Sequence, residues 1–394
     1  MYGTARATSA TVVAGAGLTR RIAARMAAAR MAVARRIAAC IVLLVLSAGC
    51  ASAAHPAQPT AAAGAHCQRE RLPVRLSAAA SVTYRIAGWL CADGSPQGRT
   101  VEVLIPGLTY GASYWNFPVD PARYSYVRAA TAAGYVTLAI DRLGTGASDY
   151  PPAAQVTATS EAFALHDVVG QLHAGKVGHV SFGKVVLVGH SYGSDIALRE
   201  AAAYADVSGV ISTGWLTAGN LPGHLRVRMS YDSSAAEDAK FRHAGLPAGY
   251  VTTKPGTRGA DFYNTGYASA VVIKEDESLK QTVSTGELKT VVLPVPRAAT
   301  LAIHVPVMLV DGQTDALDCS AGQPGLSCAT AGAVLAREQA NYAPQACLQA
   351  YVLADAGHSI NLHPDAAGWF AAASNWVHTY IDARTLPASC TAKA

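Results

Sequence analysis

The chain has 394 residues, 51% of them apolar and 7% aromatic, with a formal net charge of +5. That composition suits one large globular α/β domain carrying an insertion, with no low-complexity tract beyond an alanine-rich start. Seven arginines and no acidic residue occupy residues 1–49; removing them from 31 Lys+Arg leaves 24 against 26 Asp+Glu, so no basic face remains and a nucleic-acid partner loses its main support.

The basic start has the layout of an export signal. Arginines precede an apolar stretch from Ile37 to Leu46, and small residues Ser47, Ala48 and Gly49 lead to Cys50. Ten apolar residues are too few for a stable membrane-spanning helix, so residues 1–49 are expected to be a signal peptide. Leu46-Ser47-Ala48-Gly49-Cys50 resembles a bacterial lipobox, which makes Cys50 a candidate for lipidation and membrane attachment. Ordinary cleavage after Ala51-Ser52-Ala53, giving a freely secreted protein, is the alternative. Met26 or Met31 would open a signal of more usual proportions. Residues 50–66, rich in Ala, Pro, Thr and Gln, suit a flexible tether.

Beyond the leader lie six cysteines: Cys67, Cys91, Cys319, Cys328, Cys347 and Cys390. An even number in an exported chain reads as disulfides, although sequence alone permits many pairings. Cys67–Cys91 is expected because it brackets two adjacent edge strands, and Cys319–Cys328 because it closes a short loop. Cys347–Cys390 would tie the start of the last strand to the tail. No C-x-x-C pair occurs and no His stands at ligand spacing beside a cysteine, so neither a metal nor an organic cofactor is expected.

From Cys67 onward, strand-like runs near 72–76, 82–90, 100–105, 135–140, 184–188, 208–212, 305–310 and 349–354 alternate with helical runs near 121–133, 160–175, 192–204, 329–342 and 364–383. The first two strands could form a hairpin-like edge. Val185-Val186-Leu187-Val188 is continuously apolar, as a strand covered on both faces must be. The alternation predicts an α/β fold, a mostly parallel central sheet of about eight strands flanked by helices. The core would comprise residues 67–214 and 302–394. Residues 215–301 interrupt the rhythm between the sixth and seventh strands and are expected to form a cap or lid, since so long a loop is improbable inside a compact domain.

Gly189-His190-Ser191-Tyr192-Gly193 sits directly between the apolar strand and a helical run. A nucleophile elbow needs that context: Ser191 on a strained strand-to-helix turn, Gly189 and Gly193 letting chains pass closely, and a helix N-terminus contributing positive potential. His358 follows the last strand and precedes the last long helix, with Gly357 freeing the loop to aim an imidazole, which makes it the candidate base. His363 with Pro364 looks like a helix entry, and His190 is expected to pack locally. His166, His173, His179 and His304 read as ordinary structural or surface histidines.

With these residues the chain resembles the α/β-hydrolase superfamily, of the exported bacterial serine esterase or lipase type, over roughly residues 100–380. Val101 to Thr109 is similar to the family's strand and oxyanion-loop entry, although Pro106 stands where His is common. Asp141-Arg-Leu-Gly144-Thr-Gly146-Ala-Ser148 resembles its D-x-x-G-x-G-x-S turn. The resemblance implies the backbone N–H groups of Leu108 and Tyr192 as oxyanion-hole donors. Its G-x-x-D pattern falls on Gly312 and Asp315, making Asp315 the expected triad acid, with Asp311 the rival. Hydrolysis of carboxylic esters, on small-molecule or lipid substrates, is then the expected activity; amidase, peptidase, cofactor-free perhydrolase or a non-catalytic surface-binding role stay open, because fold and triad do not choose a substrate. Tyr110 and Trp115, just past the oxyanion loop, either line an apolar pocket or pack in the core.

Overall fold

A computed structural model describes residues 64–390, apart from 232, 292–294, 324, 384, 386, 388 and 389. The leader, Cys50 and most of the expected tether therefore lie outside the described residues.

Eight strands form the central sheet: β1 (Ala65–Val74), β2 (Tyr84–Asp93), β3 (Val101–Ile105), β4 (Val136–Asp141), β5 (Val185–His190), β6 (Gly209–Thr213), β10 (Val307–Gly312) and β11 (Gln349–Leu353). Their order is β1-β2-β4-β3-β5-β6-β10-β11. Only β1–β2 and β2–β4 pair antiparallel, and every other neighbour is parallel. The expected edge hairpin is present, but β1 begins at Ala65, earlier than the run near 72–76 suggested, so the tether reading fails for Ala65 and His66. Its mixed polar sequence hid it: an edge strand covered on one side alternates buried and exposed residues, whereas β3, β4, β5, β6 and β10 are buried throughout, as parallel strands between helices must be.

The flanking helices are α1 (Tyr126–Ala132), α2 (Ala158–His173), α3 (Tyr192–Tyr204), α6 (Ala331–Glu338) and α7 (Ala366–Val377). The run near 121–133 is broken, because Ser125 is extended and caps α1 by accepting from the Arg128 N–H; a four-residue turn, Pro121–Tyr124, precedes it. Between β6 and β10 the chain leaves the sheet. It builds helix α4 (Leu221–Ser230), helix α5 (Ala270–Leu279) and a small antiparallel sheet of β7 (Ser233–Ser234), β8 (Tyr250–Thr252) and β9 (Val283–Ser284). Much of its interior is polar, held by buried ion pairs such as Lys280–Asp238 at 2.9 Å and Arg258–Asp276 at 2.9 Å. That explains why no hydrophobic period marks it in the sequence. No helix among the described residues is long and apolar enough to cross a membrane.

Three disulfides close the chain on itself: Cys67–Cys91 across the β1–β2 register, Cys319–Cys328 within the loop after β10, and Cys347–Cys390 from the approach to β11 to the tail. Closing the 24-residue separation of Cys67 and Cys91 contributes roughly 3 kcal/mol by loop entropy. A Cys67→Ala/Cys91→Ala double variant should lower the melting temperature by several degrees in calorimetry; an unchanged midpoint would show that the edge pair adds nothing.

Candidate active site

The elbow is built by close approach of three backbone segments. β5 ends at His190, and Ser191 adopts φ 54° and ψ −122° before α3 begins at Tyr192. Such a conformation is costly for a residue with a side chain and persists only where its surroundings impose it. A Cβ on Gly189 would lie 2.4 Å from Ser194 Cα, and one on Gly193 would lie 2.2 Å from the Ile105 carbonyl oxygen, so neither position admits a side chain. The Ser191 N–H donates to the Thr213 carbonyl at 2.7 Å, tying the turn to the end of β6. His190 and Tyr192 are buried, while Ser191 keeps partial exposure.

Asp315 and His358 come together from the loops after β10 and β11. His358 Nδ1–H donates to Asp315 Oδ2 at 2.7 Å, and the Leu317 N–H donates to Asp315 Oδ1 at the same distance. Burial alone would push the Asp315 carboxyl upward, but the charge and hydrogen bond of His358 outweigh it and bring it down to about 2. Asp311 meets Asp315 rather than the imidazole, its Oδ1 accepting from the Gly312 N–H at 2.8 Å; burial, then the charges of Asp315 and Asp318, push it well above the usual carboxylate range. The two rivals are thus distinguished by geometry: only Asp315 meets the imidazole, because it lies past the strand where the chain has turned. Among the described residues Ser191 makes no hydrogen bond to His358. Such bonds are often long in a resting site and tighten with substrate.

The other histidines near the site are structural. His190 is stacked on Tyr114 with centroids 4.3 Å apart, and its ring lies 5.0 Å from that of His358. Burial, then the neighbouring His358, pushes its basicity well down. His363 Nδ1–H donates to the Ser359 carbonyl at 3.0 Å while its Nε2 accepts from the Gly357 N–H at 3.0 Å, bracing the loop that carries His358. Trp115 is fully buried against Tyr114 and Tyr126 and belongs to the core.

Leu108 and Tyr192 flank Ser191 in the chain segments expected to supply oxyanion donors. Tyr192 opens α3, so its N–H has no intrahelical acceptor. The Leu108 segment is held from two sides by buried arginines that sequence reasoning did not single out. Arg142 donates through Nε to the Pro106 carbonyl at 2.9 Å and through Nη2 to the Gly107 carbonyl at 3.2 Å, and is neutralised by Glu161 and Glu287. Arg258, from the insertion, donates to Thr109 Oγ1 at 2.9 Å, pairs with Asp276 and lies 4.1 Å over the Tyr110 ring. Thr109 is itself at φ 59°. Arg142 sits inside the Asp141–Ser148 turn and was findable there as a charge directly after an apolar strand. Nothing in the sequence around Arg258 signals its partner 149 residues away.

The model of the alpha/beta hydrolase family matches residues 103–368, a stretch that contains the elbow, the Asp315 loop and His358. The chain belongs to the alpha/beta hydrolase family. No curated protein matches the chain. Solved structures share its fold at low identity. A candidate aryl esterase from Burkholderia cenocepacia is 18% identical, with a TM-score of 0.56 over 80% of this chain and 100% of that one. An esterase from Exiguobacterium antarcticum is 15% identical, with a TM-score of 0.52 over 79% and 100%. The N-acyl homoserine lactonase AidH is 13% identical, with a TM-score of 0.52 over 82% and 100%.

In this alpha/beta hydrolase the elbow packing predicts that Gly193→Ala costs at least about 2 kcal/mol in equilibrium denaturation, since the added carbon meets backbone rather than a movable side chain. A loss below half that would show that the turn relaxes. Asp315 predicts a pH effect. Its folded value lies below the ordinary value near 3.9, so it contributes stability above that pH which is lost as pH falls through about 2. Asp315→Asn should therefore flatten the decline in stability between about pH 4 and 2; an unchanged acid limb would contradict this.

Proposed function

We propose that the protein is an exported serine hydrolase that cleaves carboxylic esters through an acyl-enzyme, with Ser191 as nucleophile, His358 as base and Asp315 as acid. The observation that carries this reading is the 2.7 Å bond from His358 Nδ1 to an ionised Asp315, beside an elbow that holds Ser191 at φ 54°. With Nδ1 carrying the proton for Asp315, Nε2 is left to accept the Ser191 Oγ proton as Oγ attacks the carbonyl carbon. The tetrahedral oxyanion forms toward the Leu108 and Tyr192 N–H groups. Collapse expels the alkoxide, which takes the proton from His358, and water repeats the sequence to release the acid.

Residues 215–301 are read as a cap, supported by Phe262 lying 5.8 Å from the His358 ring and by the Arg258 contact with Thr109. On its α4, Leu221, Leu225 and Met229 repeat every four residues and are exposed, which brings lipid esters into the substrate panel beside short-chain ones. Three disulfides and the layout of the leader support export, with Cys50 as the lipid anchor or a nearby small-residue site as the point of release.

Ser191→Ala should abolish hydrolysis of p-nitrophenyl acetate while leaving the melting temperature within a degree or so, and a fluorophosphonate should label Ser191 in the parent. Turnover by the variant, or an adduct elsewhere, would sink the assignment. Asp315→Asn should lower kcat on the order of 10⁴-fold with little change in KM, whereas Asp311→Asn, at a carboxyl that does not meet the imidazole, should keep most of the activity. Reversal of that pair would move the acid to Asp311. Parallel assays with p-nitroanilide substrates separate esterase from amidase action.

A further inference from the structure

Away from the elbow, α2 and the end of α3 bring together three side chains that the proposed hydrolase chemistry does not use. His166 comes from α2, Glu200 from α3, and Asp206 follows Ala205, whose left-handed φ of 52° ends the helix and turns the chain back. The imidazole, the Glu200 carboxylate and the Asp206 carboxylate each offer a ligand atom, all within 4.8 Å of one another. His166 Nδ1 lies 2.8 Å from Asp206 Oδ2 and 3.7 Å from Glu200 Oε1.

The hydrogen bonding of this cluster is incomplete. Glu200 is fully buried and, Asp206 apart, no side chain or backbone group hydrogen-bonds its carboxylate oxygens; Asp206 Oδ1 is likewise buried, while His166 Nδ1 has only Asp206 Oδ2 within hydrogen-bond reach. Three buried carboxylate oxygens, Glu200 Oε1 and Oε2 and Asp206 Oδ1, therefore converge with no N–H donor placed on them, an arrangement that native interiors avoid. Among the described residues no Lys or Arg joins the cluster, and the adjacent Arg75 is paired with Asp167. Burial and the neighbouring Asp206 push the Glu200 carboxyl up to about 10, and one proton shared between the two carboxyls satisfies one oxygen on each; a divalent cation would displace that proton and engage all three side chains at once. The neighbours hold the ligands in place: the His166 ring is stacked on Tyr204 with centroids 3.9 Å apart, and His173 Nε2 hydrogen-bonds the Asp206 carbonyl at 2.9 Å.

We propose that His166 Nδ1, Glu200 and Asp206 bind one divalent transition-metal ion of the Zn²⁺ class, pinning α2 to the end of α3. Ligands at Zn–N and Zn–O distances in a tetrahedral site stand about 3.3 Å apart, and the 2.8 and 3.7 Å separations straddle that spacing. An imidazole nitrogen in a three-ligand set disfavours Ca²⁺ and Mg²⁺, which take oxygen. The His166 side chain is 34% exposed, leaving a face for water as the fourth ligand. The ion would be structural, since Glu200 lies nine residues along α3 from the elbow, about 13 Å of helix.

Zn²⁺ titration of the chelator-treated full protein by calorimetry tests this, with Ca²⁺ as the control ion. One equivalent of Zn²⁺ should bind and raise the melting temperature by several degrees, Ca²⁺ should do neither, and His358→Ala should bind like the parent. Glu200→Gln keeps the shape and should weaken binding at least tenfold. Asp206→Asn, on a partly exposed side chain, provides the same readout should the buried variant fold poorly. Absence of stoichiometric Zn²⁺ uptake, uptake unaffected by both Glu200→Gln and Asp206→Asn, or uptake lost in His358→Ala would each overturn the proposal.

Discussion

The site depends on one steric constraint: three stretches of backbone meet at Ser191 with no room for a side chain between them. Gly193 lies against the end of β3, Gly189 against the first turn of α3, and a Cβ on Gly107 would stand 3.0 Å from Ser191 Cβ. Because β3 and β5 are hydrogen-bonded neighbours in the middle of the sheet, this contact joins the Pro106–Thr109 segment and the Ser191 turn into one packed unit. The strain at Ser191 is sustained by the sheet on which it sits, with the Thr213 carbonyl of β6 accepting its N–H.

Around that unit the molecule adds buried charge to its apolar contacts. Arg142 and Arg258 are both fully buried, and each spends donors on the Pro106–Thr109 segment. Their counter-ions come from different layers. Glu161 lies on α2 and Glu287 in the insertion, so Arg142 ties the insertion to the core through an ion pair, while Arg258, paired within the insertion to Asp276, reaches the core through its hydrogen bond to Thr109. Removing one partner of such a pair leaves an uncompensated buried charge and typically costs about 3–5 kcal/mol, a penalty of the orphaned charge rather than the net worth of the pair.

The carboxylates behind His358 show burial and pairing acting against each other. Asp311 at the end of β10 and Asp315 and Asp318 beyond it are all buried, yet only Asp315 is held below the ordinary carboxylate range, because it hydrogen-bonds the imidazole. Its neighbours are pushed up, first by burial and then by the charge on Asp315 itself. The Asp315 carboxylate is the one placed to steady the Nδ1–H tautomer of His358.

Local patterns in the sequence determined the succession of strands and flanking helices along the chain and the strand–turn–helix around Ser191 with Gly189 and Gly193, because strand burial and turn chemistry leave their mark within a few residues; the cysteine pairing, open in the sequence, is decided by the fold, since two of the bridges span 24 and 43 residues. Where the mark was weak the reading slipped: β1 alternates polar and apolar residues and was started too late, and Ser125 broke a helix whose composition looked continuous. Only the tertiary structure decided that Arg258 reaches Thr109, that Arg142 is shared between Glu161 and Glu287, and that His166, Glu200 and Asp206 face one another. Those contacts join residues 19 to 149 positions apart on different elements. A buried ion pair imposes no period on the sequence, so its partners become visible only when the chain has folded.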